Sequence, residues 1–350
     1  MKRKVLTLMS LFCLGLTATA GTADSISARP ARTITLPDWF PTVSGTIRAK
    51  AEYQPNEAEG RFEVRNARIA LDGDISRSVF YKAEIDLSDE GTIKMLDAFA
   101  GVRLAKDLSV SVGQMRVPFS IDAHRSPHAQ YFANRSFIAK QVGNVRDVGL
   151  SAKYTLPDIP LTLEAGAFNG SGLTDQKNYW TKSLNFSAKA QYAFPFGLTL
   201  QGSVQKVSPT GGAIYLYDGG ATLKTGRWTI EGEYLRKHYT NATFSDVNAL
   251  DAFINYDLPL RKVFRKMSFL VRYDMMDDHS DGALNDDGVL EIDDAARKRI
   301  TGGITLSFPG TTKKMYADLR LNYEKYFYDD ISLAKTSERD KFVAELMVRF

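Results

Sequence analysis

Phe342-Val343-Ala344-Glu345-Leu346-Met347-Val348-Arg349-Phe350 is the stretch that decides the fold. Phe342, Ala344, Leu346, Val348 and Phe350 alternate with Val343, Glu345, Met347 and Arg349. A period of two gives a strand with one apolar face and one mostly polar face. The stretch closes on an aromatic. At an open sheet edge such an apolar face invites aggregation. In a closed barrel the edge is paired and the apolar face meets lipid. Phe342, Leu346, Val348 and Phe350 are therefore read as lipid-facing and as a membrane-assembly signal. An ordinary edge strand of a soluble protein is the competing interpretation, and the other end of the chain bears on the choice.

Residues 1–20 have the form of a secretory signal peptide. Met1-Lys2-Arg3-Lys4 is a basic start, Val5 to Leu16 an apolar core, and Ala18-Thr19-Ala20 a small-residue cleavage site. The apolar run, about 12 residues, is short of the roughly 20 that a spanning helix needs. The single cysteine, Cys13, lies inside this segment. Disulfide frameworks, thiol catalysis and cysteine metal sites are thus not expected of the mature chain. Removing Lys2, Arg3 and Lys4 lowers the formal charge from +4 to about +1. No net basic field then favours nucleic acid, and any charge selectivity must come from where the charges sit. Mean hydropathy is −0.24, a value that a barrel with alternating faces reaches as readily as a soluble protein does.

From Val43 onward the chain divides into sixteen alternating segments of about ten residues, an even count that permits antiparallel closure. The first is 43–53, the sixth 146–155, the thirteenth 266–276 and the last 339–350. Links after even-numbered segments are short, such as Gly73-Asp74-Ile75-Ser76, Pro195-Phe196, Thr225-Gly226 and Pro309-Gly310-Thr311-Thr312. Links after odd-numbered segments are generally longer and polar, including 116–145, 169–181 and 277–295. Short turns at one end and long loops at the other is the pattern of an outer-membrane barrel, periplasm against exterior. The second segment breaks phase between Val64 and Ala67, which predicts a bulge. The fold expected is therefore all-β, a transmembrane antiparallel barrel of about 16 strands over residues 43–350, with 21–42 as a periplasmic lead-in.

Four stretches carry a family resemblance. They are Val64-Arg65-Asn66-Ala67-Arg68-Ile69-Ala70-Leu71-Asp72-Gly73, Val112-Gly113-Gln114-Met115-Arg116-Val117-Pro118-Phe119-Ser120, Arg146-Asp147-Val148-Gly149-Leu150 and Ala167-Phe168-Asn169-Gly170. In this order and spacing they resemble the phosphate-selective porin O and P family, clearly over 43–170 and more loosely to Phe350. The resemblance implies a 16-stranded barrel, usually a homotrimer, that passes small anions such as phosphate or polyphosphate. It also implies that residues 116–145 fold into the barrel as a constriction loop. One departure stands out: the family often carries two adjacent arginines where this chain has Arg65-Asn66.

Guanidinium groups suit phosphate because their planar donors bind oxygens in pairs. The 116–145 region holds Arg116, Arg125, Arg135 and Lys140, with His124 and His128, against Asp122 alone. Strand parity turns Arg48 and Lys50 inward on the first segment, and Arg65 and Arg68 on the second. These eight bases are the expected pore and anion-binding residues. Many inward acids, among them Glu52, Glu84, Glu231, Asp274 and Glu324, oppose them, so part of the basic charge is expected to be neutralised across the wall. An alternative role for the loop bases is pairing with wall acids or with lipopolysaccharide phosphates.

The acidic run 277–294 lacks the spacing of a calcium-binding EF-hand, since counting back from Gly288 puts Ala283 at the first ligand position. A solvated exterior loop is the preferred interpretation, and no metal or cofactor is expected. No nucleophile–base pair or metal-binding helix motif is visible, so an enzyme is not expected. Taken together, these features predict an outer-membrane porin for small polar solutes with an anion preference. Its expected partners are outer-membrane lipid, lipopolysaccharide and the barrel-assembly machinery, with no nucleic acid. The alternatives are a general or carbohydrate porin with balanced lumen charge, and a structural or adhesive barrel acting through its exterior loops.

Overall fold

The computed structural model describes residues 40–141, 145–173, 176–208, 212–240, 244–280, 286–287, 294–312, 314–329, 331 and 334–350. The signal-like segment 1–20, nearly all of the 21–42 lead-in and most of the acidic run 277–294 lie outside these residues. Sixteen strands are present among the described residues. The first eight are β1 (Thr42–Gln54), β2 (Glu59–Asp74), β3 (Val79–Asp89), β4 (Thr92–Ala105), β5 (Leu108–Arg116), β6 (Arg146–Thr155), β7 (Leu161–Phe168) and β8 (Asn185–Ala193). The second eight are β9 (Leu198–Val207), β10 (Ile214–Thr225), β11 (Trp228–Tyr239), β12 (Val247–Pro259), β13 (Lys266–Met276), β14 (Arg297–Thr312), β15 (Met315–Tyr328) and β16 (Lys341–Arg349). Each strand pairs antiparallel with its chain neighbours, and β1 pairs with β16, so the sheet is a closed barrel.

The seam follows from the decisive stretch. Thr46 to Tyr53 pair with Arg349 down to Phe342. Beyond the ladder, the Gly45 N–H donates to the Phe350 carbonyl at 2.8 Å and the Phe350 N–H returns the bond at 3.2 Å. A Cβ at Gly45 would overlap the Phe350 ring and lie 2.9 Å from the Arg68 carbonyl, so only glycine lets the aromatic lie across β1 here.

Burial is inverted relative to a soluble protein. Phe62 is 90% exposed, whereas Arg299, Glu324 and Glu345 are wholly buried. Apolar residues such as Ile47, Leu71, Val112, Leu150, Phe186, Val271 and Leu346 are exposed on the outer face. A surface of that kind is stable only against lipid, and a barrel of 16 strands encloses an aqueous lumen.

The expected bulge lies at Arg65. Arg48 pairs with Asn66 and Ala49 with Val64, which leaves Arg65 as the extra residue. The sixth and thirteenth segments coincide with β6 and β13. Three of the expected turns are corrected: Gly73 and Asp74 belong to β2, Thr225 to β10, and the whole of Pro309 to Thr312 to β14. Its ladder to β15 slips between Phe308 and Thr312, and the slip accommodates a proline that cannot donate a ladder hydrogen bond.

Candidate functional site

Residues 117–141 enter the lumen because their apolar side chains and their backbone groups both find partners there. Val117, Phe119, Phe137 and Ile138 join Leu216, Leu235, Val247, Met276 and Tyr326 in one buried cluster inside the wall. The descending limb is pinned first. The Pro118 carbonyl accepts from Ser187 Oγ at 2.8 Å, and the Ser120 N–H donates to Ser203 Oγ at 3.0 Å. Glu233 on β11 then accepts three bonds: from Ser120 Oγ at 2.5 Å, the Ile121 N–H at 2.7 Å and the Asp122 N–H at 3.1 Å. These bonds hold Ser120 at a φ of +62°, a left-handed backbone that a non-glycine residue keeps only under such constraint.

The loop then crosses to the opposite wall. Arg48 donates to Gln130 Oε1 at 2.6 Å and to the Ala133 carbonyl at 2.5 Å. The Ala133 N–H donates to Asn322 Oδ1 at 2.9 Å, for which Gly303 on the neighbouring strand leaves room. Arg272 donates to the Asn134 carbonyl at 3.0 Å and Arg299 to the Arg135 carbonyl at 2.7 Å. A short helix, α1 (Phe137–Gln141), starts with its Phe137 N–H on Asp274 at 3.1 Å. Most of these anchors lie on β1 and β11 to β15.

The loop-covered wall neutralises its own charge. Arg299 pairs with Asp274 at 2.6 Å and Glu324 at 3.3 Å, and Arg320 with Glu345 at 2.7 Å. Four of the eight bases singled out in the sequence are absorbed in the same way. Arg48 meets Glu345 at 2.7 Å, and Lys50 meets Glu52 at 2.8 Å and Glu63 at 3.2 Å. Arg125 meets Asp122 at 2.9 Å and Glu231 at 2.5 Å, and Lys140 meets Glu338 at 2.7 Å. Arg68 also has carboxylate partners, Glu84 at 3.2 Å and Asp86 at 2.9 Å.

Three of the eight keep their charge. Arg65 is 45% exposed and comes only within 3.9 Å of Glu63. Arg116 and Arg135 form no ion pair with any described residue. Arg116 donates to the carbonyls of His124 at 2.8 Å and Arg125 at 3.0 Å, and Arg135 to those of Ala123 at 3.2 Å and Arg125 at 3.0 Å. Carbonyl dipoles orient a guanidinium without cancelling it. Arg146, Arg135 and Arg68 are the cations that bear most on Arg116; on Arg135 the Asp122 carboxylate acts first, opposed by Arg68, Arg48 and Arg65. Burial and these like charges bring the Arg135 pKa down to about 10, still charged at neutral pH. Burial lowers His124 to about 3 and His128 to about 4, so both loop histidines are neutral there.

Arg146 belongs to this basic group although sequence reasoning did not assign it a role; it contacts Asp97 at 2.8 Å. Its position directly after the loop was the available signal. Of the acidic run 277–294, the described Asp278, Asp286 and Asp287 are exposed, whereas Asp294 is buried, accepting from Arg297 at 3.3 Å and contacting His279 at 3.2 Å.

Residues 44–216 match the family described as phosphate-selective porin O and P. The chain is an outer-membrane porin, similar to this family over just under half of its length. Comparison with curated proteins finds no sequence match. Among solved structures, this porin resembles OmpF of Salmonella typhi in complex with daunomycin (14% identity, TM-score 0.66), covering 90% of this chain and 99% of that one. An anion-selective porin from Comamonas acidovorans matches at 12% identity and TM-score 0.62, covering 88% and 98%. OprB of Pseudomonas putida matches at 12% identity and TM-score 0.62, covering 89% and 94%. At these identities the likeness speaks for the barrel alone. Family and fold make the protein an outer-membrane channel.

Proposed function

We propose that this porin conducts small anions, phosphate among them, by electrodiffusion past a basic constriction formed by Arg116 and Arg135 with Arg65, Arg68 and Arg146. The observation that carries this reading is that Arg116 and Arg135 are held by carbonyl oxygens and have no carboxylate partner among the described residues. An unneutralised pair of guanidiniums in the lumen lowers the barrier to an anion and raises it for a cation. Several moderate sites, rather than one deep one, let the ion leave again. The ion runs between the inward loop and the β2–β9 wall, since the loop is bonded mainly to the other side. The working form is a homotrimer among lipopolysaccharide, assembled through the Phe342–Phe350 signal, with the signal-like segment 1–20 removed on export.

The test is the reversal potential of the purified protein in a planar bilayer under a KCl gradient, with and without phosphate. Anion preference with phosphate block is the expected outcome. Replacing both residues (Arg116→Ala with Arg135→Ala) should cut the chloride-to-potassium permeability ratio at least several-fold. If selectivity is unchanged, the constriction lies elsewhere. If the wild-type protein shows no preference, the dense ion pairing of the wall governs, and the channel is a general diffusion porin.

A further inference from the structure

We infer that a cavity between the inward loop and strands β8–β10 is a transit site for a polyol carrying one anionic group, the chemistry of a sugar phosphate. The inference rests on the reading of the lumen as a conducting path and adds a second solute class to it. The cavity measures about 370 Å³, within the size range of small-molecule sites. Among its paired charges, strands β8, β9 and β10 present a run of neutral polar side chains, Gln191, Thr199, Gln201 and Thr222.

These groups are short of partners. The side chains of Gln191 and Thr199 make no hydrogen bond to any described residue, and the Gln201 amide nitrogen is buried without a partner. Thr222 donates to Glu231 at 2.8 Å, and the Glu231 charge is taken by Arg125 through bonds of 2.5 and 2.7 Å. Lys189, which also lines the cavity, is bound to Glu164 at 2.9 Å. Lys224 makes no ion pair with any described residue, so it is the free cation of the site. Tyr131 from the loop closes one side, its ring backed by Phe253 at 4.7 Å.

The combination selects by subtraction. A bare phosphate seeks several convergent cationic donors, and the cavity offers it one. A neutral sugar can satisfy the amides and hydroxyls and stack on Tyr131, but it gains nothing from the exposed Lys224 ammonium. A ligand with hydroxyls along a carbon chain and a single anionic end satisfies both, and the buried, unpartnered Gln201 amide nitrogen favours a ligand that offers it an oxygen.

The experiment is single-channel block of the whole porin by glucose 6-phosphate, glucose and inorganic phosphate, each at matched ionic strength. Glucose 6-phosphate should half-block at a concentration at least about tenfold below either of the others. Gln201→Leu and, separately, Thr199→Val should each weaken that block about fivefold or more. Equal block by inorganic phosphate would mean that the site reads charge alone, and equal block by glucose that Lys224 plays no part; either overturns the proposal. Absence of block by all three also overturns it. The wild-type comparison needs no variant to fold. The reversal potential in the same bilayers reports on anion selectivity separately, so failure of one reading is distinguishable from failure of the other.

Discussion

Glu233→Ala is the sharpest test of how the inward loop is held. The carboxylate accepts three bonds from consecutive residues of the descending limb, at 2.5, 2.7 and 3.1 Å. Hydrogen bonds of this kind contribute about 0.5–1.5 kcal/mol each, which puts the three together at roughly 2–5 kcal/mol as an upper bound. Lumen water can take over the freed N–H groups, so a net loss of about 1–3 kcal/mol is more realistic. At 1.4 kcal/mol per tenfold, the detached form of the limb becomes about 5- to 150-fold more populated. Ser120 would then relax from its φ of +62°. The rest of the loop stays bound, since Arg48, Arg272 and Arg299 still hold Ala133, Asn134 and Arg135. The expected phenotype is therefore local: a folded barrel with higher open-channel noise and a changed single-channel conductance. Glu233→Gln keeps a carbonyl oxygen for the limb and should resemble the wild type far more closely than the alanine variant does. Noise and conductance indistinguishable from wild type in Glu233→Ala would refute the claim that this side chain pins the loop.

Gly45→Val should damage the seam, because its Cβ meets both the Phe350 ring and the Arg68 carbonyl; the heat-modifiable folded fraction on a denaturing gel is expected to fall by at least half. Gly303→Leu fills the space that Asn322 occupies on its way to the Ala133 N–H, so conductance should change while the barrel still folds. The loop histidines set a pH dependence. His124 and His128 have folded pKa values of about 3 and about 4, depressed by burial, against about 6.5 in the unfolded chain. Between those values the unfolded state binds more protons, so stability declines as pH falls from 6.5 toward 4, and above 6.5 the two residues have no effect. A melting temperature that is flat from pH 8 to 7 and falls below 6, with the fall blunted in His124→Gln, is the expected result; charge selectivity should not step between pH 8 and 6.

The barrel was legible in the sequence because lipid outside and water inside impose a strict period of two on every strand. The place of a single charge was not legible in the same way. Whether a base acts on an ion depends on which carboxylate faces it, and those partners are remote along the chain: Glu345 is 297 residues from Arg48, Glu231 is 106 from Arg125 and Glu338 is 198 from Lys140. Parity assigns each of them to the lumen but does not pair them. Only the register of the closed sheet and the path of the loop bring them together. Arg116 and Arg135 are the exception, and local counting could have found them. From Val117 to Val145 the loop contains one acid, Asp122. Arg125, three residues on, claims it at 2.9 Å. A loop that brings one carboxylate into the lumen, commits it to a near neighbour, and then turns its own carbonyls from Ala123 to Arg125 toward two further arginines supplies no second acid for them. Among the described residues the closed sheet sets no wall carboxylate within ion-pair distance of either, and that is why they, rather than the paired bases of the wall, are the residues on which anion selectivity should be tested first.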